Sequence, residues 1–116
     1  MNSTIKKLMA NLRHSLRGLL LGLAEHSFII ELLLGIFIVI ILLADREVFI
    51  KAIVLTVYFL LLVVELLNTA IEKICNRITT VHDKNIRDIK DISSAAVFLL
   101  VLLNFMVIIS CFLQLI

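Results

Sequence analysis

Four polar side chains interrupt an apolar stretch near the middle of the chain. They are Glu65, Asn68, Glu72 and Asn76, and the residues around them are mostly leucine, valine and isoleucine. At about 100° per residue, these four positions fall within roughly 80° of one side of a helix. Carboxylate and amide oxygens can take a proton from a hydroxyl group or bind a hard cation such as Mg²⁺. We call these four residues the polar stripe.

The two carboxylates of the polar stripe are costly if the helix crosses a membrane. A charged side chain at the centre of a spanning helix costs about 2.5–3.5 kcal/mol of insertion free energy. Such groups persist when they pair, bind a metal or take part in chemistry. The polar stripe therefore indicates a buried functional site, and idle positions are the less favoured interpretation of Glu65 and Glu72.

The composition is typical of a membrane protein. Hydrophobic residues make up 62% of the 116 residues, and proline is absent. The mean hydropathy is +1.16, whereas a soluble domain has only about 45–50% apolar residues. The net charge of +2 gives no indication of nucleic-acid binding. The two cysteines, Cys75 and Cys111, are too far apart in the sequence to suggest a metal site.

Apolar segments predict an all-α integral membrane protein. Residues 27–44, 48–71 and 93–116 are each close to the roughly 20 residues that a spanning helix needs. Residues 1–26 place leucines at helical spacing among lysines and arginines, which predicts an amphipathic helix on the membrane surface. We expect one domain over residues 1–116.

The positive charges predict the orientation of these helices. Lysine and arginine are concentrated in the N-terminal segment and in residues 72–91. Because cytoplasmic segments of membrane proteins are enriched in these residues, both segments are predicted to be cytoplasmic. The connection at residues 45–47 and the C-terminus are then outside. The polar stripe would open toward the compartment that contains nucleotides.

The segment 72–91 is expected to be mainly a solvated loop of mixed charge between two spans. The residues interpreted in this way are Lys84, Arg87 and Asp88. Lys90 and Asp91 differ because they stand at the expected start of the third span. They can contact a phosphate and a metal or hydroxyl group, although a charged helix start is also common without any ligand.

Two runs of residues carry a resemblance to a known family. The run Glu65-Leu-Leu-Asn68-Thr-Ala-Ile-Glu72 and the later run Lys90-Asp91-Ile-Ser-Ser94 closely resemble the small bacterial diacylglycerol kinase family. The order of elements is also similar, with a basic surface helix followed by three spans. The resemblance covers essentially the whole chain.

The resemblance implies ATP-dependent phosphorylation of a lipid hydroxyl group in the bacterial inner membrane. It also implies a homotrimer with composite sites between subunits. In this comparison Glu65 is similar to the general base, and Asn68 supports it. Glu25 and Glu72 are similar to the ligands of a catalytic Mg²⁺. The resemblance implies diacylglycerol as substrate, with ATP as phosphoryl donor.

The same resemblance assigns the remaining site residues. Residues expected to bind the nucleotide are Glu25, Glu72, Asn76, Lys90 and Asp91. Residues expected to bind the lipid substrate are Glu31, Glu65 and Ser94. The chain has no Gly-x-x-x-x-Gly-Lys run, so a nucleotide site of the Walker type is not expected.

This chain departs from the family pattern at two places. The family usually has aspartate at the position of Asn76, and asparagine keeps the acceptor but loses the charge. Nucleotide binding is therefore predicted to be weaker but to survive. Val81, His82 and Asp83 replace the usual glutamate and tyrosine before Lys90, and a surface histidine is the favoured interpretation of His82.

Two alternative functions follow from particular residues. Gram-positive relatives phosphorylate undecaprenol and typically carry glycine and alanine near the position of Ser94. A serine hydroxyl group can bond to a glycerol ester, so diacylglycerol is favoured here. Glu31, alone in the first span, is also compatible with a small proton-coupled exporter. Such carriers generally need a fourth span and have no use for Lys90 and Asp91.

Overall fold

Four helices make up the computed structural model, which describes residues 2–116, with the backbone alone for residues 26 and 27. In chain order they are α1 (Ser3–Leu23), α2 (His26–Leu43), α3 (Val48–Ile78) and α4 (Lys84–Phe112). No strand occurs among the residues described. The prediction of an all-helical chain is confirmed.

Two of the helices, α3 and α4, are each long and apolar enough to cross a membrane. Helix α1 and the Phe28–Leu43 part of α2 meet the same criteria only as a pair, with a bend of 95° between them. The described chain therefore has two or three candidate spans. Three spans were predicted, and the location of α1 on the membrane surface stays a prediction.

Side-chain caps explain where two helices begin. Asn2 accepts a hydrogen bond from the backbone N–H of Thr4 at 3.0 Å, at the start of α1. Asp83 accepts one from the backbone N–H of Ile86 at 3.0 Å, at the start of α4. Each bond satisfies a backbone donor that has no partner within its own helix.

The prediction of a loop at Lys84, Arg87 and Asp88 was wrong. These residues lie in the first turns of α4, because Asp83 caps the helix well before the predicted span. No glycine or proline interrupts the sequence from Lys84 onward. The three side chains are exposed, as expected. Helix α3 also continues past residue 71 to Ile78, so both helices extend beyond the apolar segments at this end.

Helix α3 lies between α2 and α4 and packs against both. The apolar core formed by the three helices comprises Ile38, Ile41, Val54, Tyr58, Ile108 and Cys111. Buried residues of α3 recur every three or four positions, as in one packed helix face. They include Val54, Tyr58, Leu61, Glu65, Asn68 and Cys75. The polar stripe therefore continues the face that forms the core.

Candidate functional site

Two buried glutamates lie where α2 packs on α3. Glu65 is 1% exposed and Glu31 is 6% exposed. One oxygen of each, Oε1 of Glu65 and Oε2 of Glu31, has no hydrogen-bond partner among the described residues. The two carboxyl groups are close enough to interact electrostatically. A buried carboxyl oxygen without a partner is costly, so this place is suited to a bound polar group.

Asn68 links Glu65's helix to α4. Its Nδ2 donates to Oε1 of Glu72 at 3.3 Å, and its Oδ1 accepts from the hydroxyl group of Ser93 at 2.6 Å. The side-chain amide thus uses a donor and an acceptor at once. This chain of bonds fixes the direction of the Glu72 carboxylate relative to both helices.

Glu25 reaches the same level of α3 from the start of α2. Its carboxylate pairs with Nζ of Lys73 at 3.3 Å, and Lys73 directly follows Glu72 in the sequence. Glu25 therefore contacts the residue next to Glu72, the other predicted metal ligand. The pair with Lys73 is largely exposed, and surface pairs of this kind contribute little stability.

The oxygen donors at this place fit Mg²⁺. Among the described residues, no three His, Cys, Asp or Glu side chains are close enough to form a metal cluster. Mg²⁺ is commonly held by one or two carboxylates, with waters and substrate phosphates as its other ligands. Glu72 uses one oxygen to accept from Asn68, and a carboxylate has further lone pairs for a cation.

A cavity of about 560 Å³ lies between the end of α3 and the start of α4. It contains the predicted nucleotide residues Asn76, Lys90 and Asp91. The Nζ of Lys90 donates to Oδ1 of Asn76 at 2.5 Å. A lysine ammonium group has three N–H donors, so this contact leaves Lys90 with donors for a further ligand. We call this space the α3–α4 cavity.

The α3–α4 cavity and Glu65 lie along one helix. Glu65 and Asn76 are eleven residues apart, which is about 16 Å along an α-helix. Asn68 and Glu72 occupy the turns between them. Burial decreases in the same direction, from buried Glu65 and Asn68 to half-buried Glu72 and exposed Asn76. The polar stripe thus connects a buried acid to an open, polar cavity.

An apolar cavity of about 560 Å³ lies between α1 and α3. Ser15, Gly18 and Leu19 line it from α1, and Leu66 and Ala70 from α3. A Cβ at Gly22 would meet the end of the Leu66 side chain, which would then have to move. Gly22 therefore leaves room for the Leu66 side chain where α1 lies against α3.

Two residues of this region were not predicted from the sequence, Ser93 and Tyr58. Ser93 is buried and bonded to Asn68, whereas the predicted substrate residue Ser94 is exposed. The spacing of α4 could have indicated Ser93, since it lies eleven residues, about three helical turns, before the buried Asn104. The part of Ser94 in lipid binding stays a prediction.

These features define a class of protein: a helical membrane protein with an acidic site buried beside an open polar cavity. The sequence model of the family described as prokaryotic diacylglycerol kinase matches residues 13–112. The chain belongs to this family of lipid kinases, and the resemblance seen in the sequence is confirmed. A search of curated proteins gave no match.

Proposed function

We propose that the protein transfers the γ-phosphoryl group of ATP to diacylglycerol, which yields phosphatidic acid. The observation that supports this proposal is the geometry of the polar stripe. A buried glutamate with an unpartnered oxygen, Glu65, lies on the same helix as the α3–α4 cavity that contains Lys90. Phosphoryl transfer requires a positioned hydroxyl group and positive charge near the phosphates, and these two parts supply both.

Glu65 would act as the general base. Its Oε1 has no partner in the chain, so it can accept the proton of the lipid hydroxyl group. The lipid oxygen then bonds to the γ-phosphorus of ATP, and the bond from that phosphorus to the leaving oxygen of ADP breaks. Burial of Glu65 keeps water away from the reacting oxygen, which favours transfer to the lipid over hydrolysis.

Asn68, Glu72 and Glu25 would organise the phosphate end of the site. Mg²⁺ bound by the carboxylates of Glu72 and Glu25 would neutralise phosphate charge when it is present. Asn68 directs the Glu72 carboxylate through the bond of 3.3 Å. For Glu25 to bind a cation, its contact with Lys73 must loosen, and the exposure of that pair makes the loosening inexpensive.

Lys90, Asp91 and Asn76 would hold the nucleotide. Lys90 uses one N–H donor on Asn76, and its other donors can bond to phosphate oxygens. Asp91 lines the same cavity and offers an acceptor for a nucleotide hydroxyl group or a metal-bound water. The nucleotide would therefore approach from the connection between α3 and α4.

Diacylglycerol is the favoured lipid because of a serine on α4. Ser93 uses its hydroxyl group to donate to Asn68, whereas Ser94 is exposed. Ser94 can therefore donate to an ester oxygen of the lipid, and undecaprenol has no such ester. Glu31, next to Glu65 across the packing of α2 on α3, would contact the lipid head.

The site would face the cytoplasm of a bacterium, in the inner membrane. Arginine and lysine are concentrated around α1 and around the α3–α4 connection, which favours a cytoplasmic location for both. The short connection between α2 and α3 then lies outside. This orientation gives the α3–α4 cavity access to ATP.

A homotrimer would complete the site. Many large apolar side chains of α2, α3 and α4 are exposed in the single chain, although lipid can cover such surfaces. Asp91 and Ser94 are exposed, so they would contribute to a site if a neighbouring subunit faced them. We therefore propose composite sites, each with residues from two subunits.

A phosphate-transfer assay tests the proposed function. The purified protein in mixed micelles receives Mg·ATP carrying a radioactive γ-phosphate, with diacylglycerol and undecaprenol offered together. Label in phosphatidic acid supports the proposal. Label only in undecaprenyl phosphate would keep the lipid kinase and change the substrate. No label in either lipid would contradict the proposed activity.

Mg·ATP should also protect the protein from thermal unfolding. A ligand that binds only the folded state raises stability by RT ln(1 + [L]/Kd), about 2.7 kcal/mol at 100 times Kd. A proton-coupled exporter would not respond. An unchanged unfolding temperature with Mg·ATP at millimolar concentration would favour that alternative.

A further inference from the structure

Tyr58 joins α3 to α2 by a hydrogen bond close to the two buried glutamates, Glu31 and Glu65. Its hydroxyl group donates to the backbone oxygen of Glu31 at 3.2 Å, and this contact is buried. The donor comes from α3 and the acceptor from α2, so the bond fixes the position of one helix along the other. It does so at the residue that carries the Glu31 carboxyl group.

Gly35 is needed for this contact. A Cβ at Gly35 would lie 2.6 Å from Oη and 3.2 Å from Cζ of Tyr58. Any larger residue would therefore displace the tyrosine ring or separate the helices. The two residues form a lock, which we call the Tyr58–Gly35 lock.

No residue described in the chain bonds one oxygen of each buried carboxyl group near this lock. Oε2 of Glu31 and Oε1 of Glu65 have no partners. Their positions therefore depend on the backbones that carry them. Tyr58 precedes Glu65 by seven residues, two turns on nearly the same face of α3, so a shift at Tyr58 is transmitted to Glu65.

We propose that Tyr58 is a positioning residue that sets the separation of Glu31 and Glu65, and thereby the place where the lipid hydroxyl group is held. This inference rests on the proposed function. Tyr58 acts through the two glutamates and does not touch the reacting atoms. The Tyr58–Gly35 lock keeps the space between the carboxyl groups at the width that fits the lipid head.

The test is a double-mutant cycle at the lock. Tyr58→Phe removes only the hydroxyl group, and kcat/KM for diacylglycerol should fall about fivefold, the effect of one hydrogen bond. Gly35→Ala should lower it further because the methyl group meets Oη. Tyr58→Phe combined with Gly35→Ala should recover activity relative to Gly35→Ala alone, because the closest contact is then gone. The KM for Mg·ATP should stay unchanged throughout.

Val54→Ala is the matched control. Val54 is 1% exposed, one turn before Tyr58, and belongs to the same core. The change should lower the thermal unfolding temperature through lost packing while it leaves kcat/KM for the lipid near that of the unmodified protein. This separates a general loss of packing from a loss of position.

Several outcomes would overturn the inference. Activity of Tyr58→Phe equal to that of the unmodified protein is one, and additive losses in the double variant are another. If kcat/KM falls as much with Val54→Ala as with Tyr58→Phe, the effect of Tyr58 is a general effect of core packing and not of positioning. If the unmodified protein phosphorylates no lipid, the proposed function fails instead, which is a separate result.

Discussion

At the scale of single residues, the acids of the polar stripe differ in what surrounds them. Glu65 is buried with one oxygen unpartnered, whereas Glu72 is half-buried and accepts from Asn68. A buried carboxylate oxygen without a partner can accept a proton from a substrate hydroxyl group. A partly solvated carboxylate that is oriented by a hydrogen bond suits a cation. Substitutions of Glu65 and of Glu72 should therefore have different effects on activity.

Glu65→Gln should abolish turnover while Mg·ATP binding is largely retained. The amide has nearly the same size but cannot accept the proton, and loss of a general base costs about 10²–10⁴-fold in rate. The measurement is the phosphate-transfer rate together with nucleotide binding by calorimetry. Glu47→Gln, which changes an exposed carboxylate outside the site, serves as the control. Activity of Glu65→Gln near that of the unmodified protein would exclude the base role.

Glu72→Gln should raise the magnesium requirement steeply. The amide keeps an oxygen toward Asn68 but loses the charge that attracts a divalent cation. A titration of activity against Mg²⁺ at fixed ATP gives the concentration for half-maximal rate. If that concentration does not change, Glu72 does not hold the metal.

Asn76→Asp should tighten nucleotide binding. Aspartate keeps the acceptor that Lys90 uses and adds the negative charge that the family usually has at this position. That charge can hold a metal-bound water or a nucleotide hydroxyl group. The KM for Mg·ATP should fall, and an unchanged KM would make the position peripheral.

At the scale of helices, the sequence predicted the main elements because their causes are local. The apolar segments and the spacing of Glu65, Asn68 and Glu72 predicted a helix with a buried polar face. Helix α3 covers all three residues, and Glu65 and Asn68 are buried in it. The prediction of a loop at Lys84–Asp88 was wrong because it was based on the polarity of these residues. Polarity indicates exposure to solvent, whereas the start of the helix was determined by the cap at Asp83.

The contacts between helices were not predictable in the same way. The bond from Tyr58 to the backbone of Glu31 depends on how α2 and α3 are aligned. The choice of Ser93 over its neighbour depends on the rotation of α4 about its axis. A single sequence gives the period of each helix but not the alignment of two helices, so these partners became visible only in the structure.

The adjacent serines of α4 provide a test of that rotation. Ser93→Ala removes the hydrogen bond to Asn68 and leaves a buried acceptor, which should cost about 1–3 kcal/mol of unfolding free energy. Ser94→Ala should leave stability unchanged and raise the KM for diacylglycerol. Unfolding temperatures and lipid titrations of both variants are compared. Equal effects of the two changes on stability would contradict the rotation seen for α4.

At the scale of the whole molecule, the residues of the proposed site fall into a buried pair and an exposed pair. Glu65 and Glu31 lie inside the packing of α2 on α3, whereas Asp91 and Ser94 are exposed. The second pair, the other half of the proposed site, is open to contact with a neighbouring subunit. A neighbouring subunit that brings its own Asp91 to this chain's Glu65 would join the two halves, in keeping with the proposed trimer.

Mixing two inactive variants tests this arrangement. Glu65→Gln and Asp91→Asn should each be inactive alone, because every site lacks one essential group. Subunits unfolded and reassembled from an equal mixture should recover roughly a quarter of full activity, since a quarter of the interfaces in a ring then pair two intact groups. Mixing Glu65→Gln with Asn68→Ala, two changes on the same helix face, is the control and should recover nothing. No recovery in the first mixture would place the whole site within one chain and remove the reason for composite sites.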